Sequence, residues 1–215
     1  MSNATAEAPY GEAYYRDVCG QRPTRFDRAR DDRVVRLVEG HAPPRRPDSS
    51  LLDIGCGYGH LLARFEGRFR LAGIDLSSHA ASVAKERIPD ASIITADLQR
   101  PFPLKESFDV VLAISVIEHL SDPVAGIAAI HNALLPGGLC VVHLPTVNGP
   151  MSSLIYRLAY ASDPTHVYRP SGKDVVKLFA YAGFETLEES YSPHRRWLGS
   201  GVGWHPAYLA AFRRS

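Results

Sequence analysis

From residue 50 onward the apolar positions fall into short runs separated by segments of helical period. The runs "SLLDIG" (50–55), "FRLAGIDL" (69–76), "ASIITAD" (91–97), "FDVVLAIS" (108–115) and "GLCVVHLP" (138–145) have strand length and are rich in Val, Ile and Leu. Between them lie helical patterns: "HLLARFEG" (60–67), "SSHAASVAKER" (77–87, with Ser77 or Ser78 as N-cap) and the segments around 123–135 and 171–182. Val34, Val35, Leu37 and Val38 mark an earlier helix, closed by the breaker "APPRRPDSS". "FETLEESY" and "AYLAAFRR" predict two closing strands, joined as an antiparallel hairpin at the sheet edge. Strands alternating with helices give βαβ units. "DVVLAI" and "LCVVHL" lack polar alternation, as strands buried on both faces do. The pattern predicts a doubly wound, Rossmann-like α/β fold.

Length makes this one domain, residues 1–215. It divides into an N-terminal cap segment (1–45), a core (46–145), a lid insertion (146–169) and the C-terminal part of the sheet (170–215). A net charge of +1 gives no electrostatic case for nucleic acid. No apolar run has the length of a membrane span, and contact with a membrane is not expected. Cys19, Cys56 and Cys140 lack metal-site spacing and read as reduced thiols, which places the chain in the cytoplasm.

Chemistry concentrates at the ends of the strands. "LLDIGCGYGHLL" (51–62) sets Gly55, Gly57 and Gly59 at alternate positions after the first strand. In an open parallel sheet the turn after that strand is where ligands lie, and glycine lets the backbone approach them. A dinucleotide loop needs a glycine where this chain has His60, which counts against a nicotinamide cofactor. Asp75 ends the second strand at the distance suited to accepting two ribose hydroxyls. Asp97 ends the third, positioned for the exocyclic amine of a purine.

These residues resemble the class I S-adenosylmethionine-dependent methyltransferases. "LLDIGCGYG", "GIDLS", "ADLQRPFPLKESFDVVLAISVIEHLSDP" and "ALLPGGLCVVHLP" match that family's motifs in order and spacing. The resemblance implies a seven-stranded sheet of order 3-2-1-4-5-7-6 with strand 7 antiparallel. It implies S-adenosyl-L-methionine as cofactor and S-adenosyl-L-homocysteine as product. Asp53 and the Gly55–Gly59 loop would face the methionine part, with Cys56 a small residue that fits the loop. Asp75 would hold the ribose, Leu76 pack on the adenine, Asp97 and Leu98 read its edge, and Ser115 lie beneath the methionine. Tyr10, Tyr14, Tyr15 and Arg16 would cap the cofactor.

"AISVIEH" lacks the Asn/Asp-Pro-Pro-aromatic motif of amide and nucleobase N-methyltransferases. "SVIEHLSDP" with "DPTHVYRP" resembles the ubiquinone-pathway O-methyltransferases instead. That implies a small-molecule acceptor methylated on a hydroxyl or carboxyl oxygen, with Glu118, His119 and His166 as the catalytic group. Metal-using members carry a glutamate where this chain has Ser115, so no metal is assigned. Glu118, His119 and His166 are the set a divalent cation would use. The face of Met151, Leu154, Ile155, Leu158 and Ala159 is expected to pack on the domain, and "PHRRW" (193–197) to line the acceptor pocket. The chain is read as a monomer or homodimer. Two other readings stay open: a nicotinamide-dependent oxidoreductase, and a non-catalytic cofactor-binding relative.

Overall fold

The computed structural model describes residues 10–19, 22–100, 107–160, 163–191 and 205–215, without the side chains of residues 18 and 19. Seven strands form one sheet: β1 (Ser50–Ile54), β2 (Arg70–Asp75), β3 (Ser92–Thr95), β4 (Phe108–Ile114), β5 (Leu134–Pro145), β6 (Phe184–Tyr191) and β7 (Ala207–Arg214). Their order is β3-β2-β1-β4-β5-β7-β6. β1 pairs in parallel with both β2 and β4, while β7 runs antiparallel between β5 and β6. The expected topology is therefore the observed one, with β6 rather than β7 at the edge.

Among the described residues, five helices of ten residues or more surround the sheet: α1 (Arg25–His41), α2 (Ser78–Arg87), α3 (Pro123–Ala133), α4 (Pro150–Ala159) and α5 (Gly172–Tyr181). Successive strand residues point to opposite faces, so the continuous apolar runs feed two cores. Leu51, Val110, Leu112 and Val141 pack with Val34 and Val38 of α1 and Ala84 of α2. Leu52, Val111, Ala113 and Val142 pack on the other face with Ile127 and Ile130 of α3 and Phe179 of α5. Ser77 caps α2, its hydroxyl accepting from the Ala80 N–H. Thr24 with Asp27, and Ser171 with Asp174, form reciprocal caps on α1 and α5.

Two expectations are corrected. "HLLARFEG" forms only a single 3₁₀ turn, Leu62–Phe65, because the glycine loop uses the residues before it and Gly67, at φ 71°, ends it. Its apolar residues still pack: Leu62 and Phe65 are fully buried. In α4 the apolar face does not lie on the domain. Met151, Leu154 and Leu158 are 57%, 50% and 80% exposed, and the buried positions are Ser152 and Tyr156. Polar contacts decide this orientation: Ser152 Oγ accepts from the N–H groups of Asn148 and Gly149, and Tyr156 hydrogen-bonds His166. Cys56 and Cys140 are buried free thiols. Among the described residues no helix is long and apolar enough to cross a membrane.

Candidate active site

Strand order reverses between β1 and β4, and a cavity of about 830 Å³ opens beyond their carboxyl ends. Its floor is the turn after β1. Gly55, Gly57 and Gly59 sit at φ 69°, 51° and 73°, the left-handed region that side chains disfavour. A Cβ on Gly55 would come within 2.5 Å of Val116 Cγ2, so this position is closed to other residues by space as well. The N–H groups of Gly55 and Cys56 both donate to the Ile74 carbonyl, tying the turn to β2. Cys56 lines the cavity, but its thiol is buried and faces Gly73, and burial holds its pKa well above the usual thiol range.

Asp53, Asp75 and Asp97 all line this cavity, as do Leu76 and Leu98. Asp53 is buried, and desolvation raises its pKa well above the usual carboxylate range; the nearby Asp31 and Asp75 add to this and Arg30 opposes it. Asp75 accepts from Gly57 N (2.8 Å) and Ser77 N (2.9 Å), and from the Tyr15 hydroxyl at 2.9 Å to each carboxylate oxygen. Burial raises Asp75, against the pull of these hydrogen bonds. Asp97 accepts from Gln99 N at 2.9 Å in an Asx turn, and its Oδ2 lies 3.5 Å from Arg100 Nε.

The opposite wall begins at Ser115, the one non-glycine residue with positive φ (58°) among those described. Its N–H donates to the His143 carbonyl and its hydroxyl lies 3.3 Å from His143 Nδ1. One 3₁₀ turn later come Glu118 and His119. Glu118 is fully buried, its Oε2 has no hydrogen-bond partner among the described residues, and desolvation pushes its pKa up to about 8. His119 Nδ1 lies 2.9 Å from Thr165 Oγ1 and 3.2 Å from the Thr165 carbonyl. The Thr165 hydroxyl gives its hydrogen to Asp163, so both Thr165 oxygens accept from His119. The proton is thereby assigned to Nδ1, and Nε2 keeps its lone pair. His166 packs 4.7 Å from His119 ring to ring, with Nδ1 3.1 Å from the Tyr156 hydroxyl and Nε2 3.6 Å from Asp163. Burial lowers both histidines, with Asp163 opposing. Burial would raise Asp163, but hydrogen bonds from Thr165 and Tyr14 outweigh it and hold it low.

The fold thus brings Glu118, His119 and His166 together, with one potential ligand atom from each within 4.8 Å of the others. Tyr10, Tyr14 and Tyr15 line the cavity as expected of a cap; Arg16 does not, being exposed and paired with Asp17. "PHRRW" lies outside the described residues. Sequence reasoning missed His143, Asp163, Tyr156 and Arg30. His143 was hidden in an apolar strand, and Arg30 points from α1 into the cavity, paired with Asp31.

A family model described as a methyltransferase domain matches residues 26–189. The chain belongs to that family. It is a class I S-adenosylmethionine-dependent methyltransferase by both sequence and fold. It is 30% identical over 200 residues to the ubiquinone biosynthesis O-methyltransferase of Thiobacillus denitrificans, with 84% of each chain covered. It is 32% identical over 114 residues to a dTDP-4-amino-2,3,4,6-tetradeoxy-D-glucose N,N-dimethyltransferase of Saccharopolyspora spinosa, covering 51% of this chain and 44% of that protein. The chain spans less than half the length of several of the curated relatives it matches. The N-methyltransferase NodS of Bradyrhizobium japonicum, solved with S-adenosyl-L-homocysteine, shares the methyltransferase fold (TM-score 0.66, 21% identity, 88% and 87% covered). Relatives therefore act at oxygen and at nitrogen, and family membership alone does not choose the acceptor atom.

Proposed function

We propose that this methyltransferase binds S-adenosylmethionine between the glycine loop and Asp75, and methylates a hydroxyl oxygen of a small molecule. The residues fit that cofactor: Gly55 and Gly57 line the cavity with bare backbone in the left-handed region, and Asp75 places a buried carboxylate beside them. Bound there, the cofactor supplies an electrophilic methyl group, so the protein's part is alignment, exclusion of water and handling of one proton.

One observation carries the acceptor reading: His119 is anchored through Nδ1, which leaves Nε2 as a base. An alcohol must lose a proton on methylation, whereas a neutral amine attacks without such help. His119 Nε2 takes the hydroxyl proton. The resulting imidazolium is stabilised through Thr165 by Asp163, which hydrogen bonds from Thr165 and Tyr14 keep ionised near neutral pH against the effect of burial. Ser115 and His143 fix the strand end that orients the acceptor.

A second reading rests on the partnerless Glu118 Oε2. One carboxylate and two imidazoles suit a divalent cation, which would lower the pKa of the acceptor hydroxyl. The test is calorimetry with S-adenosyl-L-homocysteine and NADH, each with and without magnesium. Transfer of labelled methyl to a panel of hydroxylated and amino compounds follows. Binding of the homocysteine compound and transfer to hydroxyls, abolished in His119→Ala, is expected. Transfer confined to amines overturns the oxygen assignment, and loss of hydroxyl transfer on chelation alone favours the cation.

A further inference from the structure

The segment of residues 10–19 lies across the cavity, and its three tyrosines reach both ends of it. Tyr15 is buried, and its ring stacks on Tyr58 at 5.1 Å above Gly57. Tyr14 donates to Asp163 Oδ2 at 3.0 Å. Tyr10 meets the His119 ring edge-on at 5.9 Å and Tyr14 at 5.2 Å. This strap therefore bridges the end of β2 and the histidine pair, over 149 residues of sequence in the case of Tyr14 and Asp163.

The decisive contact is that of Tyr15. Its hydroxyl is 2.9 Å from both oxygens of Asp75, so it sits directly in front of the carboxylate. A carboxylate offers about four acceptor directions. Backbone N–H groups of Gly57, Ser77 and Leu76 already occupy several of them on Asp75. The phenol stands within hydrogen-bond distance of both oxygens and takes up what is left. A ribose diol needs a free acceptor direction on the same carboxylate. Phenol and ribose cannot be held there together.

We propose that Tyr15 gates the cofactor site by competing with the ribose for Asp75. This rests on the cofactor reading given above. Ligand binding requires the strap to release the carboxylate, so the apparent affinity is the intrinsic one multiplied by the fraction of molecules with Asp75 free. Because Tyr14 and Tyr10 lie on the same strap, release at Asp75 also loosens the contact with Asp163 and uncovers His119. Cofactor entry and opening of the acceptor end are one movement.

Titration calorimetry of the full chain with S-adenosyl-L-homocysteine, adenosine and methionine tests this. Tyr15→Phe keeps the ring on Tyr58 and removes only the competing hydroxyl. It is expected to tighten S-adenosyl-L-homocysteine and adenosine by about tenfold, the equivalent of ~1.4 kcal/mol, and to leave methionine unchanged. Tyr14→Phe, which weakens the strap without touching Asp75, is expected to tighten the same two ligands by a smaller factor. Binding by Tyr15→Phe that is weaker than, or within twofold of, wild type overturns the gate and makes Tyr15 an ordinary cap. Equal tightening of methionine also overturns it, because the effect would then not pass through the ribose. If neither wild type nor Tyr15→Phe binds S-adenosyl-L-homocysteine, the cofactor reading falls and takes the gate with it. Binding by the variant alone supports a fully closed gate.

Discussion

The two ends of the cavity are made of different material. At the cofactor end the working parts are backbone: three left-handed glycines, the N–H groups of Gly57 and Ser77, and one carboxylate that those groups hold. At the proposed acceptor end they are side chains contributed by separated stretches: Ser115, Glu118 and His119 after β4, His143 on β5, and Asp163, Thr165 and His166 beyond α4. Backbone geometry tolerates few residue types, so the first end is constrained to one kind of ligand. A constellation of side chains can be exchanged piece by piece while the sheet stays intact. This accounts for relatives that share the fold and differ in acceptor.

The sharpest way to break that comparison is to remove chemistry from one end and read the other. His119→Ala is expected to lower turnover by about 100-fold or more, the usual contribution of a general base. Affinity for S-adenosyl-L-homocysteine should not fall by calorimetry, and a modest gain would reflect the loss of the strap's Tyr10 contact with the His119 ring; a large loss of affinity would mean that the cofactor end depends on this side chain. Asp75→Ala should do the reverse, weakening S-adenosyl-L-homocysteine by roughly 10- to 100-fold through the loss of charged hydrogen bonds. Unchanged affinity in a folded variant would remove the ribose assignment.

A smaller effect separates the ends by pH. Glu118 has a folded pKa of about 8 against an ordinary value of 4.5, so the folded state retains a proton that the unfolded state has lost between those values. Stability therefore falls as pH rises from about 5 to 8. In metal-free protein Glu118→Gln should raise the melting temperature by several degrees at pH 8 and by much less at pH 5. Thermal melts in chelator at the two pH values check this, and parallel shifts would contradict it. The smallest effect is expected on the exposed face of α4, in contrast to a buried position of α1. Leu158→Ser on the exposed face of α4 should change stability by no more than about 0.5 kcal/mol. Leu37→Ala, buried in α1, should cost about 2–5 kcal/mol in denaturant unfolding.

The same contrast governs what could be read from the chain. The glycine loop, Asp75 and Asp97 are visible because a backbone that must turn and approach a ligand leaves its requirement in adjacent residues. The parallel sheet is visible because its strands lack polar alternation. Asp163 is invisible because nothing local marks it: its meaning comes from Tyr14, Thr165 and His166, which only the fold brings to it. Helical period showed that α4 has an apolar face but not what covers it. Ser152 and Tyr156, polar anchors without a periodic signature, turned that face outward. The single turn at Leu62–Phe65 had the composition of a helix, and only Gly67 told how soon the chain must reverse.

The place of β7 bears on how the molecule is made. β5 finds its antiparallel neighbour in a strand that begins at Ala207, some sixty residues after β5 ends at Pro145. At a ribosome moving about 5–20 residues per second, that interval lasts roughly 3–12 seconds. Throughout it Val141, Val142 and Leu144 belong to an unpaired edge of the kind that recruits other chains. The nascent protein thus passes through an adhesive stage that ends only when β7 pairs with β5 and brings β6 to the sheet with it, and factors that shield emerging chains would act in that window.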